Sequence, residues 1–215
     1  FRSVLNGLSA SNPDEIYFLS GQSSVGLSFE QPAETFDSLV YGVLNFLEAI
    51  RFNGNASRFY HASSSECFGN VSAGTAADEL NPFKPRSPYG VAKASAHWMV
   101  ANYREAYGVH CSNGILFNHE SPLRPQRFVT RKIVSSACRI AQGSNERLQL
   151  GNLSGIRDWG WAPDFVEAMW LMLQQDVADD YVVATGRGYD LINFVERVFE
   201  ELNLNWKKFV DIDQN

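Results

Sequence analysis

The chemistry of this chain can be built on a tyrosine and a lysine four positions apart, Tyr89 and Lys93 in Ser87-Pro88-Tyr89-Gly90-Val91-Ala92-Lys93. On a helix, residues at i and i+4 share a face, so the ammonium can lie beside the phenol and favour its deprotonated form. That makes Tyr89 a base near neutral pH. Upstream, Ser63-Ser64-Ser65-Glu66 closes an apolar run. At the end of a strand, the Ser64 hydroxyl can steady the substrate oxygen that Tyr89 addresses, and Glu66 adds a second acid/base group. Tyr-x-x-x-Lys recurs by chance on surface helices. Its combination with Ser64 and Glu66 is the stronger signal.

These residues need elements to position them. Arg58–Ser63 reads as a strand that delivers Ser64 and Glu66 to its carboxyl end. Tyr89–Tyr107 reads as a helix, with Pro88 near its first turn and Gly108 as its stop. Before them, Glu15–Ser20 is a short buried strand running into Gly21-Gln22-Ser23-Ser24, small and polar residues of the kind found where an open parallel sheet meets its ligand. Thr35–Phe52 has apolar residues at helical spacing and stops at Asn53-Gly54-Asn55; Phe1–Ala10 looks like a helix end. Ser112–Asn118 is a third strand. Strand and helix alternate as in parallel crossovers, so the fold class is α/β, a partial doubly wound parallel sheet. No Gly-x-Gly-x-x-Gly turn follows any strand, and the chain reads as a fragment without the pyrophosphate cradle.

After Phe117 the texture changes. Arg124, Arg127, Arg131 and Lys132 crowd a loop and helix start, an arrangement that can hold a diphosphate by charge-assisted hydrogen bonds or form a solvated face. Leu148–Asn152 is a short strand and turn, Asp164–Leu173 an apolar helix, Tyr181–Gly186 a strand able to rejoin the sheet, and Asn193–Leu202 a last helix. The expected division is a dinucleotide-binding domain from 1–124 with 163–187 and a small substrate-binding subdomain from 125–162 with 188–215.

Composition narrows the class. The 215 residues are 45% hydrophobic, enough for a substantial core, and the formal charge of −6 provides no basic footprint for nucleic acid or an anionic membrane surface. Cys67, Cys111 and Cys138 are an odd number without a close pair, which fits a reducing cytoplasm better than a disulfide framework or a zinc site. No apolar run approaches a membrane-spanning length. His61, His97 and His110 carry no signal beyond packing or exposure.

Longer blocks carry a resemblance. Asn113–Pro122, Phe128–Lys132, Arg157-Asp158-Trp159-Gly160 and Glu167–Gln174 resemble the GDP-mannose 4,6-dehydratases of the extended short-chain dehydrogenase/reductase superfamily, a Rossmann-like group. The resemblance implies NADP as cofactor, GDP-mannose or a related nucleotide sugar as substrate, and a homo-oligomer. It also implies roles. Tyr89 takes the sugar O4 proton, Lys93 holds the cofactor ribose, and Glu66 removes the C5 proton and helps expel the C6 hydroxyl. Ser64 stands where the family usually has Thr. Leu19, Gln22, Ser23, His119 and Arg124, together with Tyr89 and Lys93, match cofactor contacts; Asn118, Lys132 and Arg157 match nucleotide-sugar contacts. No metal is implied. Two alternatives stay open: a catalytically incompetent fragment serving as a binding or oligomerisation module, and a related epimerase or reductase, which would not need Glu66.

Overall fold

The computed structural model describes the chain except Asn55, Ser72, Ala73, Gly74, Ser154, Gln214 and Asn215. In chain order the elements are α1 (Arg2–Ser11), β1 (Glu15–Phe18), α2 (Val25–Glu30), α3 (Pro32–Phe36), a π-helical turn (Asp37–Tyr41), α4 (Gly42–Asn53), β2 (Arg58–Ser64), a 3-10 turn (Ser65–Cys67) and α5 (Pro88–Tyr107). Then come β3 (Cys111–Leu116), β4 (Asn118–Glu120), α6 (Val129–Ala141), β5 (Leu148–Leu150), β6 (Ile156–Trp161), α7 (Ala162–Gln174), β7 (Asp180–Val183), β8 (Gly188–Asp190), α8 (Leu191–Glu201), a 3-10 turn (Trp206–Lys208) and β9 (Val210–Ile212). They form two compact units, Phe1–Phe117 with Pro163–Val183, and Asn118–Ala162 with Ala184–Asn215.

The first unit is built on a parallel sheet in the order β1-β2-β3-β7. The two central strands, β2 and β3, are buried on both faces, as the inner strands of a parallel sheet are, while β1 and β7 at its edges are partly exposed. Side chains alternate along β2. Phe59 joins Phe18, Val43, Leu47, Val100 and Cys111 in a core shared with α1, α4 and α5, whereas Tyr60 packs with Leu116, Phe165, Met169 and Leu173 under α7. The strand expected at Tyr181–Gly186 does rejoin the sheet, as Asp180–Val183 beside β3.

The helix expected over Thr35–Phe52 is interrupted by the π turn. Thr35 Oγ1 donates to Gln31 O (2.7 Å), and Ser38 Oγ donates to Glu34 O (2.9 Å). Such hydroxyls compete for the helix ladder and loosen it. The helix ends at Asn53, with Gly54 left-handed at φ 59°; Asn55, expected in the stop signal, lies outside the described residues.

The second unit holds two small sheets. β4 pairs parallel with β6, and β8 antiparallel with β6; β5 pairs parallel with β9. Its core joins Ile133, Ala137 and Ile140 of α6 to Val195 and Phe199 of α8, with Leu148, Leu150 and Val210 beneath. The expected third strand ends early at Leu116 because Asn118–Glu120 pairs with β6 instead. Residues 118–124 and 184–187 therefore fall in this unit, and the boundaries differ from the sequence reading by a few residues.

Candidate active site

Ser64, Glu66, Tyr89 and Lys93 all lie in the first unit, at the carboxyl edge of the parallel sheet, and the backbone explains how they meet. β2 ends in Ser64, which caps the 3-10 turn: its Oγ accepts from Glu66 N at 3.2 Å. The turn thereby fixes the backbone of Glu66, whose side chain is half-buried. α5 starts against that turn. Ser87 is its N-cap, accepting from Gly90 N at 3.0 Å, and Pro88 occupies the first position, where no amide donor is needed. Gly90 makes the approach possible. A Cβ there would sit 2.8 Å from Glu66 O, so the turn carrying Glu66 and the helix carrying Tyr89 are packed backbone to backbone.

Tyr89 and Lys93 share the inner face of α5, as the four-residue spacing predicts. Tyr89 is buried with Leu39, Ala92, Val25, Phe36 and Val40, and Lys93 Nζ lies 5.9 Å from the centre of its ring. Lys93 is only 5% exposed and donates to Ala62 O at 2.7 Å, next to Ser63 and Ser64. Burial pushes the Lys93 ammonium down to about 8, partly offset by Cys67. It remains mainly charged at neutral pH and beside the phenol. Cys67 itself is pushed up to about 11 by burial, which leaves it a thiol.

Leu19, Gln22 and Ser23 follow β1 at the same edge of the sheet. Leu19 and Ser23 are exposed; Gln22 is tied down by its Nε2, which donates to Thr35 Oγ1 at 3.1 Å, and by its Oε1, which accepts from Ser24 N. Gly21 takes φ +115°, and a Cβ there would strike Leu39 of the π turn at 2.4 Å. The loop is thus docked on the π turn, whose role no helical periodicity reveals.

The other candidates belong to the second unit. Asn118 and His119 on β4 pair with Trp159 and Gly160 on β6, and Asn118 Nδ2 donates to Asp158 O at 3.3 Å. Arg157 is exposed on β6. Lys132, on the first turns of α6, is exposed and donates to Gln149 O at 2.6 Å. Arg124 lies over the Phe128 ring at 3.7 Å with Glu120 at 3.4 Å, and Arg127 lies over the same ring at 5.1 Å. Two of the clustered arginines are therefore stacked on an aromatic side chain. Asp158, within the Arg157–Gly160 block, is structural: its carboxylate accepts from Thr185 N (3.1 Å) and Arg187 N (3.2 Å). A mostly apolar cavity of about 250 Å³ opens in this unit among Thr130, Arg131, Trp161 and Phe194.

Sequence reasoning missed a buried polar chain behind Lys93. His61 Nδ1 meets Asn113 Oδ1 at 2.7 Å; Asn113 Nδ2 reaches Asp180 Oδ1 (2.9 Å) and His97 O (3.2 Å); His97 and Arg104 both pair with Asp180. These residues come from β2, β3, α5 and β7, so no local spacing could signal them. Among the described residues no group of three His, Cys, Asp or Glu is placed to hold a metal, and no helix is long and apolar enough to cross a membrane.

A family model described as GDP-mannose 4,6 dehydratase matches residues 2–214. GDP-mannose 4,6 dehydratase 2 of Arabidopsis thaliana is 52% identical over 206 residues, covering 94% of this chain and 55% of its own length. GDP-mannose 4,6-dehydratase of Sinorhizobium fredii (strain HH103) is 50% identical over 208 residues, covering 95% of this chain and 59% of its own length. The chain thus spans somewhat more than half the length of these relatives. Among solved structures, RMD from Pseudomonas aeruginosa complexed with NADPH superposes with a TM-score of 0.91 at 26% identity, covering 98% of this chain and 71% of that one. On a match that runs nearly end to end, the chain belongs to the GDP-mannose 4,6-dehydratase family, within the extended short-chain dehydrogenase/reductases.

Proposed function

We propose that a complete protein carrying these residues is a nucleotide-sugar 4,6-dehydratase that converts GDP-mannose to GDP-4-keto-6-deoxymannose. The observation that carries this reading is the backbone contact at Gly90, which packs Glu66 against the first turn of the Tyr89–Lys93 helix. Oxidation at a sugar carbon needs only a tyrosine and lysine pair. Removal of water needs a second acid/base group beside it, and Glu66 is that group.

NADP is the cofactor this reading requires, and when bound it supplies the acceptor and donor of hydride that keep the reaction redox-neutral. The residues present fit its nicotinamide-ribose end. A buried ammonium lies next to a phenol, and the anchored loop Leu19–Ser23 borders the same sheet edge. RMD, whose structure holds NADPH, supports NADP as the form of that cofactor.

Each residue then has a task. Lys93 holds a ribose hydroxyl and keeps the phenol acidic; Tyr89 takes the proton from sugar O4 as C4 becomes a ketone. Ser64 steadies the same oxygen. The ketone acidifies the C5 proton, Glu66 removes it, and the carboxyl so formed returns a proton to the departing C6 hydroxyl, which leaves as water; hydride at C6, which the bound cofactor would supply, and a proton at C5 would then give the 4-keto-6-deoxy sugar. Asn118, Lys132 and Arg157 of the second unit contact the nucleotide sugar, and His119 and Arg124 the cofactor. The free cysteines suit a reducing cytoplasmic setting.

Glu66→Gln in the complete chain tests the reading, because the amide keeps the shape of the carboxyl but cannot act as a carboxylate base. Given GDP-mannose and NADP, the variant should stop at a protein-bound 4-ketohexose without deuterium entering C5 from deuterated water. Normal 4-keto-6-deoxy product would assign the elimination to another residue and return the site to simple oxidation or epimerisation.

A further inference from the structure

The buried chain behind Lys93 ends in a group with an unfilled role. His61 is fully buried on β2. Around it stand Phe18 of β1, Asn113 of β3, Lys93 and His97 of α5, and Asp180 of β7. Its tautomer follows from its neighbours. The carboxylate of Asp180 and the carbonyl of His97 can only accept, so both amide protons of Asn113 are committed to them, and Asn113 Oδ1 must be an acceptor. The His61 nitrogen that meets this oxygen at 2.7 Å is therefore Nδ1–H. In the neutral ring Nε2 is then a bare acceptor. Buried, it has no hydrogen-bond partner among the described residues, and a buried acceptor left unmatched is costly.

Of the charges acting on this ring, Lys93 acts most strongly. Lys93 Nζ donates one proton to Ala62 O, the carbonyl of the residue after His61, and so has further protons to place. We infer that His61 is a positioning residue for Lys93: locked in one tautomer by Asn113, it offers Nε2 as a second acceptor to the Lys93 ammonium through one bridging water. The ammonium is then held from two sides under Tyr89, and Asn113, with Asp180 behind it, fixes the acceptor in place. Burial and the Lys93 charge hold His61 down at about 3, so the acceptor stays available throughout the neutral range. The catalytic consequence rests on the role proposed above for Lys93.

Two measurements need no catalysis. In the chain as it stands, nitrogen-15 spectra of the His61 ring should show the Nδ1–H tautomer from pH 5 to 9; the opposite tautomer, or titration within that range, overturns the inference. The Lys93 titration, followed through isotopically labelled lysine and assigned with Lys93→Arg, should move down by about one unit in His61→Leu, a tenfold loss of proton affinity. It should stay near the unmodified value in His61→Gln, whose amide oxygen replaces the acceptor. Equal midpoints in the Leu variant and the unmodified chain, or an equal fall in both variants, refute it. If the Leu variant does not fold, the tautomer and the Gln comparison still decide. In the complete enzyme the alkaline limb of turnover should shift to lower pH in His61→Leu and return in His61→Gln. A complete chain with no dehydratase activity would remove the function and leave the titration and tautomer results to stand or fall alone.

Discussion

Tyr89 is the residue whose task is most separable from its packing. Its ring is buried with Leu39, Ala92 and Phe36, so Tyr89→Phe keeps the apolar contacts and removes the hydroxyl. In the complete enzyme, turnover should fall by about a hundred- to ten-thousand-fold while nucleotide-sugar affinity stays within a factor of about two. A matched loss of affinity would make the hydroxyl a binding group. Ser64 behaves differently, because its Oγ also accepts from Glu66 N. Ser64→Ala removes the hydroxyl proposed to steady the substrate oxygen and loosens the turn that holds Glu66. Ser64→Thr, which keeps the oxygen, should restore turnover; failure to do so would give Ser64 a purely steric role.

At the scale of elements, the site is made where a strand end, a short turn and a helix start are pressed together. Gly90 is the point of contact, with Glu66 O 2.8 Å from where a Cβ would be. Gly90→Ala should push the turn away from α5, so turnover should drop by at least tenfold even though the first turn of α5 gains a better helix former. An alanine variant with full turnover would show that the two backbones can separate without consequence. Ser87 tests the other side of the same junction. Its cap on Gly90 N contributes about 1 kcal/mol, and Ser87→Ala should lower the unfolding temperature by a few degrees, measured by circular dichroism. Anchoring of the Leu19–Ser23 loop depends likewise on an irregular element, the π turn Asp37–Tyr41, against which Gly21 rests, while Gln22 bonds Thr35 just before it.

For the whole molecule, the buried polar chain makes stability depend on pH. His61 is neutral when folded and has its usual affinity for protons when unfolded, so its contribution is complete above about 6.5 and is lost as pH falls toward 3. Asp180 adds to the same loss at lower pH: burial opposes its charge, but hydrogen bonds from His97, Arg104 and Asn113 outweigh that and hold its carboxyl well below the usual range. Lys93 acts at the other end. Its depressed value means that burying the ammonium costs stability below about 8, a cost relieved as pH rises toward 10.5. Urea unfolding followed across pH should therefore show stability rising from pH 3 to 6.5, and His61→Gln should flatten that rise. An unchanged slope in the variant would place the acid sensitivity elsewhere.

The sequence alone determined the parallel α/β frame, because alternating apolar strands and amphipathic helices are local patterns, and it determined the pairing of Tyr89 with Lys93, because i and i+4 lie on one helical face wherever the helix packs. The position of Ser64 and Glu66 was legible for a related reason: polar residues that follow an apolar strand lie at the carboxyl edge of an open parallel sheet. Only the tertiary structure decided how the turn carrying Glu66 meets the helix carrying Tyr89, since that depends on the bare backbone of Gly90 lying against a turn 24 residues upstream. It alone turned His61, His97 and Asp180 from isolated polar residues into one network, because their partners arrive on different strands and a helix, and hydrogen bonds between distant segments leave no period in the chain. The split of Leu116 from Asn118 had the same origin. Both stretches are strand-forming, and the choice of partner, β2 and β7 for one and β6 for the other, is made by packing rather than by propensity.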